Sequence, residues 1–161
     1  MDFHNSVVLI TGGASGIGEA TTRYFVSLGA YVVVADQDTE RGQKLAEEYR
    51  GKIDFYQADV GSEDQVKSLF DFIRQKHGVL DVLHNNAAYS LSKTLWDTTA
   101  EEWDKVMYVN LRGYFLCAKY ALDLLKKAAM ARLSVPQANW ESLAVWKALP
   151  TTPLKAAFCN L

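Results

Sequence analysis

A chain of 161 residues, 49% hydrophobic and 22% charged, is long enough for one buried core and too apolar for a disordered segment. Its net charge of −2 supplies no basic surface for a nucleic-acid backbone. Cys117 and Cys159 make neither a disulfide framework nor zinc-ligand spacing. Met1-Asp2-Phe3-His4-Asn5 lacks a basic-then-apolar leader, and no apolar run approaches the roughly 20 residues that span a bilayer. A cytoplasmic protein without a membrane partner is expected.

The first apolar run, Val7-Val8-Leu9-Ile10, is β-branched and closed by Gly12 and Gly13, as a strand buried on both faces would be. Ile17, Ala20, Thr21, Tyr24, Phe25 and Leu28 then recur at helical spacing, with Gly29 placed for a left-handed end. Tyr31 to Ala35 reads as a second strand, Thr39 to Tyr49 as a polar helix and Ile53 to Ala58 as a third strand. A helix from Ser62 to Lys76 follows, with Ser62 and Gln65 spaced as a capping box, and then a strand from Val79 to His84. Thr99 and Glu102 form a second box, opening a long helix that aligns Trp103, Val106, Met107, Leu111, Tyr114, Phe115, Leu122 and Leu125. Strand five is expected near Leu133 to Trp140, although Pro136 interrupts it and cannot donate to a ladder. Alternating strands and helices predict an α/β fold, a doubly wound parallel sheet of Rossmann type.

The turn Thr11-Gly12-Gly13-Ala14-Ser15-Gly16-Ile17-Gly18 joins strand to helix, where orphan amides and the helix dipole favour a pyrophosphate. A purely structural turn is the plainer reading. Asp36, 18 residues after Gly18, stands where a carboxylate would bind an adenosine ribose, and its plainer role is to cap the next helix. Asn85 and Asn86 read on their own as turn residues, and Asn110 as a packed amide on an apolar helix face.

Together these segments resemble the short-chain dehydrogenase/reductase family. The resemblance rests on Thr11-Gly-x-x-x-Gly-Ile-Gly18, Asp59-Val60, Asn85-Asn86-Ala87-Ala88 and Asn110-Leu-Arg-Gly113, in that order over residues 5 to 127, and fades over 128–161. It implies one dinucleotide-binding domain over 1–161, with NAD as cofactor. Thr11, Gly12, Ser15, Gly16, Ile17, Gly18, Asp36, Asp59, Val60, Asn86, Ala87 and Lys155 would contact that cofactor. Asp59 would meet the adenine, Asn86 and Ala87 the ribose, and Asn110 would anchor a water in a proton relay. A small alcohol or carbonyl substrate, a homo-oligomer and no resident metal are implied as well.

The family also places a serine on strand five and a Tyr-x-x-x-Lys on the following helix, about 13 residues later. Lys155 looks like that lysine, but the tyrosine column then holds Thr151 and the serine column Ala138. Threonine is no substitute for a phenol whose pKa a neighbouring ammonium lowers toward neutrality. Tyr89-Ser-Leu-Ser-Lys93 has the spacing but precedes Asn110, the wrong order, and is read as chance. The family's later strands and substrate loop have no counterpart, so turnover is doubtful. Two rivals stand beside a dehydrogenase: an inactive dinucleotide-binding module, and a different nucleotide-binding fold such as a methyltransferase, which the asparagine motifs disfavour. His4, His77 and His84 have no metal-ligand spacing, and Trp96, Trp103, Trp140 and Trp146 are expected in a core or an interface.

Overall fold

In the computed structural model, which describes residues 3–128 and 131–134, the apolar runs form a parallel sheet. Strand β1 (Val7–Thr11) lies beside β2 (Tyr31–Asp36) on one side and β4 (Val82–Asn85) on the other. β3 (Ile53–Gln57) and β5 (Arg132–Ser134) extend the two flanks, giving the order β3-β2-β1-β4-β5. All pairings are parallel. The expected doubly wound α/β architecture is the one found.

Period-two alternation sends each strand's side chains into separate cores. Val7, Leu9, Val33 and Leu83 pack with α3 (Glu63–Lys76) and α5 (Tyr114–Leu125) through Leu69, Phe70, Ile73, Leu116 and Leu124. Val8, Ile10, Val32 and Val34 face the opposite layer, formed by α1 (Gly16–Ser27) and α2 (Thr39–Glu48), where Leu45 is buried. Both faces of the central strands are therefore covered, which explains why they read as unbroken apolar runs. Strand order reverses between β1 and β4, so a crevice opens at the carboxyl ends of these two strands.

Four local expectations change. Ser62 is the N-cap of α3 but makes no side-chain cap bond, and the reciprocal half of the box is lost as well, because Gln65 Oε1 accepts from the Asp59 amide at 2.8 Å while the Ser62 amide donates to the Asp59 carbonyl. β4 starts at Val82 rather than Val79, and β5 lies at Arg132–Ser134, ahead of most of the expected segment, whose residues 135–140 are outside the described residues. The Thr99–Glu102 capping box does form and starts α4 (Ala100–Met107). The helix then passes through a π-helical turn, Tyr108–Gly113, before α5.

That wider turn rotates everything beyond it relative to a regular helix. The buried face is Gly113, Leu116, Cys117, Ala121, Leu124 and Leu125, which shares only Leu125 with the row expected from the sequence. Trp103, Leu111 and Phe115 remain 54%, 38% and 43% exposed. Trp96 is exposed too, while Trp140 and Trp146 lie outside the described residues. Burial pushes the Cys117 thiol up to about 12, so it behaves as a small core hydrophobe.

Candidate dinucleotide-binding site

Every motif singled out in residues 11–110 is brought to the carboxyl end of the sheet by the strand that precedes it, except Asn110, which the π turn supplies. The β1–α1 turn contains Gly12 and Gly16 at φ +63° and +54°, conformations that ordinary side chains resist. The glycines have different duties. A Cβ on Gly18 would lie 2.0 Å from the Gly12 carbonyl oxygen and 2.6 Å from Asn86 Nδ2, so this glycine lets α1 seat against the turn. A Cβ on Gly16 would meet nothing within 4 Å. Gly16 thus opens onto free space at a helix N-terminus, a cradle suited to an incoming phosphate. Beside it Ile17 is 78% exposed, an apolar side chain awaiting a cover. Ser15, the extended N-cap residue, spends no side-chain bond on the helix.

Thr11 and Asn86 brace this cradle. Thr11 Oγ1 accepts from the amides of Asn86 and Ala87, each at 3.0 Å. Asn86 Nδ2 donates to the carbonyls of Thr11 and Gly12, each at 3.1 Å. Their side chains lock the β4 loop to the β1 loop. Thr22, which the sequence reading passed over because it looks like an ordinary helix residue, donates its hydroxyl to the Gly13 carbonyl at 3.2 Å.

Asp36 ends β2 over the same turn. Its Oδ2 accepts from the Ala14 amide at 3.0 Å and its Oδ1 from the Asp38 amide at 3.1 Å. It does not cap α2, since Asp38 does so by accepting from the Arg41 amide. The carboxylate is therefore held at the rim by main chain. Beyond β3, Asp59 Oδ1 accepts from the Gly61 amide at 2.9 Å. Burial and the Asp59 charge raise the Tyr108 phenol, a pairing that no sequence pattern marks. Val60 is buried against Gly113, where a Cβ would come within 2.8 Å of it.

Asn110 grips the β4 loop at two points. Its Oδ1 accepts from the Tyr89 amide at 2.7 Å and its Nδ2 donates to the Tyr89 carbonyl at 2.9 Å. A polar residue in the π turn thereby pairs a main-chain segment that no strand satisfies. Tyr89 and Lys93 lie outside any helix; Lys93 is paired with Glu102, and Lys105 Nζ sits 4.4 Å from the Tyr89 ring centroid. Asn85 is not a turn residue. It closes β4, is 1% exposed, and neither Oδ1 nor Nδ2 of its carboxamide has a partner among the described residues. Ala138, Thr151 and Lys155 lie outside the described residues. No three His, Cys, Asp or Glu side chains converge as a metal site, and no helix is long and apolar enough to cross a membrane, among the described residues.

A parallel 3-2-1-4-5 sheet with a glycine turn and a terminal carboxylate at its switch point defines a dinucleotide-binding fold of the Rossmann class. Within that class, the profile of the short chain dehydrogenase family matches residues 6–133, and the chain belongs to that family. It is 45% identical over 119 residues to a (+)-cis,cis-nepetalactol synthase of Nepeta racemosa, covering 71% of this chain and 44% of the relative. A 3-oxoacyl-[acyl-carrier-protein] reductase of Thermotoga maritima is 42% identical over 118 residues, 71% of this chain and 48% of that one. The chain spans about half the length of the curated relatives it matches. A solved short-chain dehydrogenase from Novosphingobium aromaticivorans superposes with a TM-score of 0.78 at 24% identity, over 89% of this chain and 56% of that one, a likeness of fold.

Proposed function

We propose that the chain supplies the NAD-binding part of an oxidoreductase acting between an alcohol and a carbonyl compound. The observation that carries the cofactor assignment is Asp36, anchored by the Ala14 and Asp38 amides at the rim of the glycine turn. A carboxylate there accepts hydrogen bonds from the two hydroxyls of an adenosine ribose and repels a 2′-phosphate. Gly13 and Ala14 in the glycine turn, and Gln37 next in sequence, carry no compensating cation. The residues fit the group: Gly16 leaves room for a pyrophosphate against the α1 N-terminus and Ile17 offers apolar cover, while the family resemblance assigns Asp59 and Val60 to the adenine end.

The nicotinamide, when bound, supplies or accepts the hydride. The protein's share is placement. Thr11 and Asn86 hold two loops at a fixed separation, Ala87 follows the clamp, and Asn110 fixes the loop through Tyr89, so its role as a relay anchor would begin from an already occupied side chain. The reading extends to a soluble, cytoplasmic homo-oligomer with one dinucleotide-binding domain over residues 1–161, the family resemblance being clear over 5–127.

A module that binds dinucleotide without turnover is the second reading. It is favoured by the sequence itself, which has Thr151 and Ala138 where the resemblance calls for tyrosine and serine. Titration with NADH and NADPH, then a turnover assay over an alcohol and ketone panel, separates the readings. Tighter NADH binding supports the cofactor assignment, and equal or reversed affinities refute it. Turnover with Lys155 in place, abolished by Lys155→Ala, refutes the inactive module.

A further inference from the structure

Three observations meet at one point in the chain. The family profile ends at residue 133. β5 is in register with β4, pairing Leu83 with Leu133 and His84 with Ser134. One residue beyond that last pair on β4 stands Asn85, whose buried carboxamide has no partner among the described residues. The sequence continues with Val135 and Pro136, which bring no side-chain donor or acceptor, and proline brings no amide either.

We infer that residues from about Leu133 to Leu161 are encoded out of frame, and that the same nucleotides, read one base earlier, encode the serine, tyrosine and lysine that this sequence lacks. The inference rests on the family reading above and deepens it. In the earlier frame each codon takes the third base of one residue's codon and the first two of the next. Several outcomes are then forced by the genetic code whatever synonymous codons are used. Asn139/Trp140 yields leucine, Trp140/Glu141 glycine, Trp146/Lys147 glutamate and Phe158/Cys159 leucine.

The informative positions are those with two to four outcomes. Gln137/Ala138 gives only serine or glycine. Pro150/Thr151 gives tyrosine, histidine, asparagine or aspartate, and Leu154/Lys155 gives lysine, glutamate, glutamine or a stop. From the Gln137 junction to the Pro150 junction is 13 codons, and from there to the Leu154 junction is four. These are the separations of the serine, tyrosine and lysine expected from the resemblance, and all three residue types are permitted together at those junctions. Thr152/Pro153, the middle of the three junctions between the tyrosine and the lysine, gives serine, threonine, alanine or proline. The junctions Val135/Pro136 and Pro136/Gln137 each give serine, threonine, alanine or proline. Where the chain as it stands has Val135 and Pro136, the earlier frame can thus bring hydroxyl side chains, which a buried carboxamide such as that of Asn85 could use. By this account Lys155, Thr151 and Ala138 do not occupy the family's columns, and their in-frame mismatch has no chemical meaning.

The frame is tested by sequencing the transcript and its genomic template across the codons for Ala128 to Leu161. The expected codons are CAA for Gln137, CCT for Pro150 and CTA or TTA for Leu154, with Ala138 and Cys159 codons that do not end in T. Any other codon at one of these five positions closes or alters the earlier frame and overturns the inference. A second arm expresses the transcript with one base restored at the Leu133 codon and read on to the stop codon of the earlier frame, alongside the chain as it stands. Peptide mass spectrometry confirms which frame was made, and ketone-dependent NADH oxidation is then compared. Activity in the restored protein that is lost on replacing its new tyrosine by phenylalanine is the expected result. The codons are independent of cofactor chemistry. Correct codons with no NADH binding by either protein would leave the frame standing and sink the functional reading, whereas NADH binding with wrong codons would do the reverse.

Discussion

The two glycines at the start of α1 should separate folding from cofactor binding. Replacing Gly18 by alanine puts a Cβ 2.0 Å from a carbonyl oxygen and 2.6 Å from Asn86 Nδ2. The first neighbour is main chain and cannot swing aside, so the overlap costs about 3 kcal/mol, the upper end for overpacking. Displacing Asn86 forfeits its bond to the Gly12 carbonyl, about 1 kcal/mol more. Alanine's better helix propensity returns roughly 1 kcal/mol. The net is about 3 kcal/mol, or a fall in Tm of about 6–12 °C for a chain of this size. Gly16→Ala meets no atom and bears only the left-handed backbone penalty of about 1–2 kcal/mol. Its fall in Tm should be the smaller, about 2–8 °C, yet NADH affinity should drop at least tenfold, because the new methyl occupies the space open to the phosphate. Thermal unfolding and NADH titration of both variants decide the matter. Equal losses of Tm, or unchanged NADH affinity in Gly16→Ala, would refute the division of labour.

Asp36→Asn removes the charge while keeping the shape, and the ratio of NADPH to NADH dissociation constants should fall toward one; an unchanged ratio in calorimetry would show that another group sets the preference. Asn110→Ala loses both bonds to Tyr89 and should cost about 1–3 kcal/mol, with amide exchange at Tyr89 accelerated; unchanged protection there would disprove the clamp. Burial lowers the His84 pKa below its ordinary 6.5, so the unfolded chain binds a proton that the folded chain refuses. This contribution is therefore fully present above the unfolded value of about 6.5 and is lost as pH falls from there through the lower folded value. Urea midpoints at pH 7.5 and 5.5 should differ less in His84→Asn than in the native chain. Trp103 and Phe115 are exposed on α4 and α5, the surface that the proposed homo-oligomer would bury; Trp103→Ser with Phe115→Ser should shift sedimentation toward monomer, and an already monomeric native chain would dismiss the expected homo-oligomer.

The sequence alone determined the sheet and most of the cradle, because both depend on short-range patterns. Unbroken β-branched runs such as Tyr31 to Ala35 pack well only when covered on both faces, and a glycine turn between strand and helix has few conformations open to it. It could not fix the buried face of the long helix, since a π turn at Tyr108–Gly113 shifts the phase without any local mark that period counting detects. Nor could it tell that Gln65 would leave its expected cap for the Asp59 amide, or that Asn110 would spend both polar atoms on Tyr89. Those choices belong to the tertiary structure, because a side-chain amide pairs with whichever main-chain groups the fold leaves unsatisfied nearby, and that is settled only when distant segments meet.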